Sequence, residues 1–133
     1  MPSVLLDTGP LVALFQRNDS YHSRAAAWFK NQRGPILTTQ AVLTEAWHLV
    51  SDAARVPLVR FASAVCELRE FDAEGQLRIV KALERYQDLP MDYADATLLA
   101  LAEIEKVSSI ATLDVNDFSV YRMANGKAMK LVF

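Results

Sequence analysis

Short apolar runs alternate with helical patterns along this chain, and that alternation constrains the fold more than any other feature. Val4-Leu5-Leu6 is a compact apolar run ending at Asp7, as expected of a strand buried on both faces. Ile36-Leu37-Thr38 and Ser109-Ile110-Ala111-Thr112-Leu113 read as further strands, the latter ending at Asp114. Strands separated by helices predict an α/β fold with a parallel sheet of four to five strands and helices on both faces.

Between Asp7 and a short helix over Leu11 to Gln16, Thr8-Gly9-Pro10 is expected to turn the chain, with Pro10 in the first helical turn. Ser20 is the expected N-cap of a helix reaching about Gln32, stopped by Gly34-Pro35. Helices follow from Gln40 to Asp52 and from Pro57 to Leu68, the second carrying Cys66, and Arg69-Glu70-Phe71 reads as a short strand. Asp72 opens a helix to Tyr86, Asp92 caps another through Lys106, and Leu131-Val132-Phe133 is expected at a sheet edge.

A chain of 133 residues fits one domain over 1–133. No apolar run approaches the ~18 residues of a membrane span, and the N-terminus lacks the basic opening of a secretory leader, so a cytoplasmic location is expected. Cys66 is the only cysteine, which excludes an internal disulfide and points to an inert core thiol. The net charge of −2 argues against nucleic-acid binding through a broad basic surface. It leaves room for an enzyme that holds phosphates through bound metal ions.

Certain acids break the local pattern. Asp95 shares the apolar stripe of Leu98, Leu99 and Ala102, and Glu45 shares that of Val42 and Leu49. A carboxylate on an inward face costs several kcal/mol unless a basic partner or a shared cation compensates it. Asp7 and Asp114 stand where strands end, which is where open parallel sheets bind ligands.

The segments Val4-Leu5-Leu6-Asp7-Thr8-Gly9-Pro10-Leu11, Glu45 early in its helix, Met91-Asp92-Tyr93-Ala94-Asp95-Ala96, and Ile110 through Phe118 resemble the ordered motifs of the PIN-domain family. The resemblance is closest to the VapC-type toxins of prokaryotic toxin–antitoxin pairs and spans essentially the whole chain. It implies an endoribonuclease using Mg²⁺ or Mn²⁺, an RNA substrate, a cognate antitoxin and a homodimer. It makes Asp7, Glu45, Asp95 and Asp114 the acidic quartet, with Asp7, Asp95 and Asp114 as metal ligands. Thr8, Thr112, Asp117 and Asp92 take supporting places; Asp92 also reads as a helix cap, as does Asp117 in the turn before Phe118.

Two alternatives remain within the family: a binding module that does not cleave, and a nuclease without an antitoxin. An aspartate-nucleophile phosphatase needs a second acid two positions after the first, where this chain has Gly9. His22 and His48 are read as structural or surface residues. Trp28, Phe29, Trp47 and Phe61 are read mainly as core or interface, with Phe61 or Tyr86 the candidates for stacking on an RNA base. Arg55, Arg60, Arg69 and Arg78 are expected on a solvated face, some of them flanking the RNA groove.

Overall fold

Three consecutive residues with no polar face, Val4, Leu5 and Leu6, belong in the middle of a sheet, and β1 (Val4–Leu6) is found there. The computed structural model describes residues 1–133. The other elements are α1 (Thr8–Phe15), α2 (His22–Asn31), β2 (Ile36–Thr39), α3 (Gln40–Leu49), α4 (Asp52–Val65) and β3 (Cys66–Arg69). They continue with α5 (Ala73–Arg85), α6 (Tyr93–Glu105), β4 (Ser109–Ala111), α7 (Val115–Val120) and β5 (Lys130–Leu131).

All strand pairs are parallel, in the order β3-β2-β1-β4-β5. The chain builds outward from β1 on one side, then returns to add β4 and β5 on the other. The order therefore reverses between β1 and β4, where the carboxyl ends of the strands leave a crevice. Every residue of β1 and β2 is buried, as helices packed on both faces require. Thr38, though polar, is buried in β2 because its hydroxyl donates to the Leu6 carbonyl at 2.8 Å. Helix α6 is buried from Ala94 to Ala102 and packs against α5, α3 and β2.

Several boundaries differ from expectation, each for a local reason. Helix α1 begins at Thr8, because Asp7 accepts the Thr8 N–H and caps it directly. Ser20 does not cap α2; Tyr21 holds that position without a side-chain bond, while His22 Nδ1 lies 2.9 Å from the Ala13 carbonyl. Helix α3 stops at Leu49, and α4 starts at Asp52, so Pro57 lies inside a helix it was expected to open. Pro57 and Ala53, whose carbonyl loses its i+4 donor, are both exposed, so solvent can serve that carbonyl.

Strand β3 occupies Cys66–Arg69 rather than residues 69–71; pairing Ile36 with Cys66 sets its register. Cys66 thus leaves the helical pattern, but burial pushes its thiol up to about 11 and keeps it inert. Strand β4 ends at Ala111, and the edge strand is Lys130–Leu131. No helix is long and apolar enough to cross a membrane.

The position of α6 makes Leu98, fully buried, a sensitive probe of the core. Leu98→Ala should destabilise the fold by about 2–5 kcal/mol in urea denaturation, whereas Val56→Ala on the exposed face of α4 should change it by less than about 0.5 kcal/mol. Equal effects would contradict the placement of α6.

Candidate active site

The parallel register pairs Leu6 with Ala111, so the next residues, Asp7 and Thr112, stand level at the carboxyl edge of the sheet. They meet there: the Thr112 hydroxyl donates to Asp7 Oδ2 at 2.6 Å and accepts the Asp114 N–H at 2.9 Å. Thr112 therefore ties the β1 terminus to the loop that carries Asp114, across 105 residues of sequence.

Of the helices that start at this edge, three are capped by an aspartate of the acidic group. Asp7 accepts from Thr8 N at 2.8 Å, Asp92 from Asp95 N at 2.9 Å, and Asp114 from Asp117 N at 3.2 Å. Asp95 and Asp117 fall in the first turns of α6 and α7. Carboxylates at helix N-termini are favoured by unsatisfied N–H groups and by the helix dipole, so the starts of α1, α6 and α7 collect acids for local reasons. Asp92 is a cap, as expected; in the turn before Phe118 the cap is Asp114, not Asp117.

The capping bonds use only part of each carboxylate. Oxygens of Asp95, Asp114 and Asp117 lie within 4.8 Å of one another, close enough to share one cation. Asp7, Asp95 and Asp114 line one cavity of about 430 Å³ together with Glu45, Asp92 and Thr8. Asp7 is outside the tightest group, and each of its oxygens already accepts one hydrogen bond. Glu45 is half-buried on the wall formed by α3, beside buried Val42 and Ala46; Leu49, expected on the same inward stripe, is exposed.

No Lys or Arg pairs with any of these acids. Arg55, Arg69 and Arg78 bind other carboxylates, at Asp52, at Glu67 and Glu105, and at Glu74 and Glu103. Burial is accordingly the main force on the proton equilibria. It raises Asp7, aided by the charges of Asp92 and Asp114 and opposed by the bonds from Thr112 and Thr8. It raises Glu45, with Asp92 and Asp7 adding to the effect. Burial, reinforced chiefly by Asp7 and Asp92, lifts Asp95 to about 8. Asp117 is raised through its hydrogen bond with Asp114.

These features fit a hard divalent cation: the donors are all oxygen, the charges lack counter-charges, and the Thr8 hydroxyl is a buried polar atom without a hydrogen-bond partner. Thr8 Oγ1 lies near enough to Glu45 to offset part of the rise in that carboxyl.

One supporting residue carries no signal in the sequence. Tyr121, fully buried beyond α7, donates its hydroxyl to Asp95 Oδ2 at 3.0 Å and packs against Phe118 and Tyr86. Its spacing from Phe118 marks it as an apolar-face residue, and nothing in the string links it to an acid 26 positions earlier. The aromatic candidates for RNA stacking are otherwise engaged. Phe61 packs edge-on against Phe15 and Phe29, and Tyr86 lies against Tyr121 and accepts the Arg122 N–H.

Two outcomes follow from this geometry. Folded Asp95 keeps its proton up to about pH 8, whereas an ordinary aspartate releases it near 3.8. Between those values the folded state holds more protons than the unfolded one, so metal-free stability must fall as pH rises. The melting temperature should decline across that window and decline less in Asp95→Asn; a flat wild-type profile would contradict the arrangement. Because the Tyr121 hydroxyl holds the Asp95 pKa down, Tyr121→Phe should move it above about 8 in carboxyl-carbon NMR titrations while the ring keeps its packing. An unchanged value would remove Tyr121 from the site.

A model of the PIN domain matches residues 4–123. Ribonuclease VapC26 of Mycobacterium tuberculosis is 26% identical over 128 residues, spanning 92% of this chain and 95% of the relative. Among solved structures, VapC20 of Mycobacterium tuberculosis, a sarcin–ricin loop cleaving toxin, has a TM-score of 0.77 at 21% identity, covering 85% of this chain and 91% of that one. A toxin–antitoxin complex from Klebsiella pneumoniae has a TM-score of 0.69 at 18% identity, covering 88% and 91%. VapBC2 from Rickettsia felis, bound to a DNA fragment from its promoter, reaches 0.66 at 20% identity, covering 98% and 97%. At these identities the structural matches speak for the fold, and the domain match over most of the chain speaks for descent: this chain belongs to the PIN-domain family.

Proposed function

We propose that this chain is a divalent-metal-dependent endoribonuclease, the VapC-like toxin of a toxin–antitoxin pair. The observation that carries this reading is the acidic cavity without a basic partner, whose lining acids Asp95 and Asp114 bring oxygens within 4.8 Å of each other and of Asp117. The ribonuclease name of a relative aligned along nearly all of both chains supports the reaction class.

Asp95 and Asp114, with Asp7 beside them, are the proposed holders of Mg²⁺ or Mn²⁺, and the nearness of an Asp117 oxygen supports including it in that set. A bound divalent cation supplies relief of phosphate charge and a lowered pKa for the water that attacks the phosphodiester. The chain's own residues do the positioning. Thr112 and the Thr8 N–H fix both oxygens of Asp7, and Tyr121 fixes one oxygen of Asp95. Glu45, with its pKa raised by burial, is the proposed proton acceptor for water on the α3 wall. No basic residue lines the acidic cavity, so the chain itself offers RNA phosphate no direct ion pair there, and Asp7, Asp95 and Asp114 would hold the cation that offsets its charge.

The toxin–antitoxin assemblies among the structural neighbours support an antitoxin partner. Exposed Leu77 and Val80 on α5 are apolar surface that a homodimer would cover. The proposed unit is one domain over 1–133 acting in the cytoplasm.

Asp7→Asn and Asp95→Asn should each abolish RNA cleavage in Mn²⁺ or Mg²⁺ while leaving the far-ultraviolet circular dichroism unchanged, since the exchange keeps shape and removes charge. Wild-type activity should vanish with chelator. Near-wild-type turnover by either variant would remove that residue from its assigned role.

A further inference from the structure

A second and larger cavity of about 660 Å³ opens beside the acidic one, and the two share Glu45 and Asp92 as a common wall. Its volume falls within the roughly 300–1,000 Å³ of small-ligand sites. The lining changes character away from the shared wall: Gln40 and Thr44 come from α3, Phe71 from the β3–α5 connection, Gln76 from α5 and Tyr93 from α6. Phe71 is held in place, because Gly75 lets its ring lie against the first turn of α5, where an added Cβ would come within 3.0 Å of it. Tyr93 is 51% exposed, so an aromatic surface is open to solvent at the mouth of the acidic site.

The charges say what this cavity admits. Glu45, Glu70 and Asp92 face a single cation, Arg69, which is already bound to Glu67 at 2.7 Å and to Glu105 at 2.8 Å. A phosphate would be repelled. A neutral planar group with N–H donors would not: the carboxylates only accept hydrogen bonds, the glutamine amides both donate and accept, and the rings offer stacking surface.

We propose that this cavity is a nucleobase pocket, receiving the unpaired base next to the phosphate cleaved in the acidic site. The adjacency to that phosphate rests on the nuclease reading above; the capture of a base does not. Bases carrying an amino group are favoured over uracil, because the carboxylates of Glu45, Glu70 and Asp92 accept from an amino group and have nothing to donate to a carbonyl. A base seated against Phe71 and Tyr93 leaves its own phosphate beyond the shared wall of Glu45 and Asp92, in the acidic cavity, where a bound cation would offset the repulsion. Strand choice in cleavage is then set here, by a neutral contact, and not by surface charge.

The test uses the full chain and two probes. In the first, free guanosine, adenosine, cytidine and uridine are titrated into labelled protein without metal, and the side-chain amide signals of Gln40 and Gln76 and the ring signals of Phe71 are followed by NMR. Saturable shifts at these groups are expected, weakest with uridine. Binding should weaken by roughly tenfold or more in Phe71→Ala, as expected for loss of a stacking surface. Gln76→Ala, at an exposed position that the fold does not need, should weaken it severalfold even if Phe71→Ala is poorly folded.

In the second, RNAs carrying one abasic nucleotide at successive positions around the cleavage site are digested in Mn²⁺. One flanking position should lose roughly tenfold or more in kcat/KM with wild type and lose nothing further with Gln76→Ala. Absent or scattered NMR shifts would overturn the pocket, as would shifts produced by N-acetylarginine amide but not by nucleosides, which would assign it to a protein partner's side chain. Cleavage indifferent to every abasic position would also overturn the pocket while leaving the nuclease standing. Nucleoside binding by a protein that cleaves no RNA would overturn the nuclease reading and leave base capture intact.

Discussion

The hydrogen bond from Thr112 to Asp7 closes the point where the sheet reverses its strand order, and the site depends on it. Parallel pairing of β1 with β4 sets the two residues level, and a hydroxyl that donates to one aspartate while accepting the backbone of another fixes both. This tie adds to the bond from the Asp7 N–H to the Ala111 carbonyl at 3.0 Å in holding the start of α7 against the start of α1. The acids are held by the same bonds that begin the helices. Asp7, Asp92 and Asp114 are caps that also line the site, and Asp95 and Asp117 follow in the first turns of the helices so capped.

This double use resolves a conflict between stability and chemistry. Capping offsets part of the cost of burying a carboxylate, since helix N-termini present free N–H groups and a partial positive charge. It does not remove the cost, because the buried charges also repel one another. The residue is visible in Asp95, which holds its proton to about pH 8 despite an N-terminal helical position and a bond from Tyr121. A cation in the pocket would displace that proton and neutralise the repulsion, so stability and function draw on the same binding event.

Much of this was legible in the string, for identifiable reasons. Uninterrupted apolar residues at Val4–Leu6 announced a central strand, and Asp95 among Leu98, Leu99 and Ala102 announced a carboxylate on a buried face. Asp92 read correctly as a cap, because capping is a local property. What stayed hidden depends on tertiary registers. The shift of β3 to Cys66–Arg69 is decided by pairing with Ile36–Thr39, and α4 tolerates Pro57 because that face is exposed. Tyr121 looks like core by its spacing, and its hydroxyl finds Asp95 only once α7 has docked. The aromatics expected to stack on RNA, Phe61 and Tyr86, lie in packed clusters, while Phe71 and Tyr93, legible only as parts of a short strand and of a motif, stand in no periodic stripe that would mark them for stacking.

The central claim is that acids from distant segments tolerate one another because one cation serves them. Anomalous diffraction from crystals grown with Mn²⁺ measures this directly. A single strong peak is expected in the cavity at the ends of β1 and β4, about 2.1 Å from carboxylate oxygens of Asp95 and of Asp114 or Asp117. No peak there at saturating Mn²⁺, with those side chains turned toward lysine or arginine partners, would contradict it.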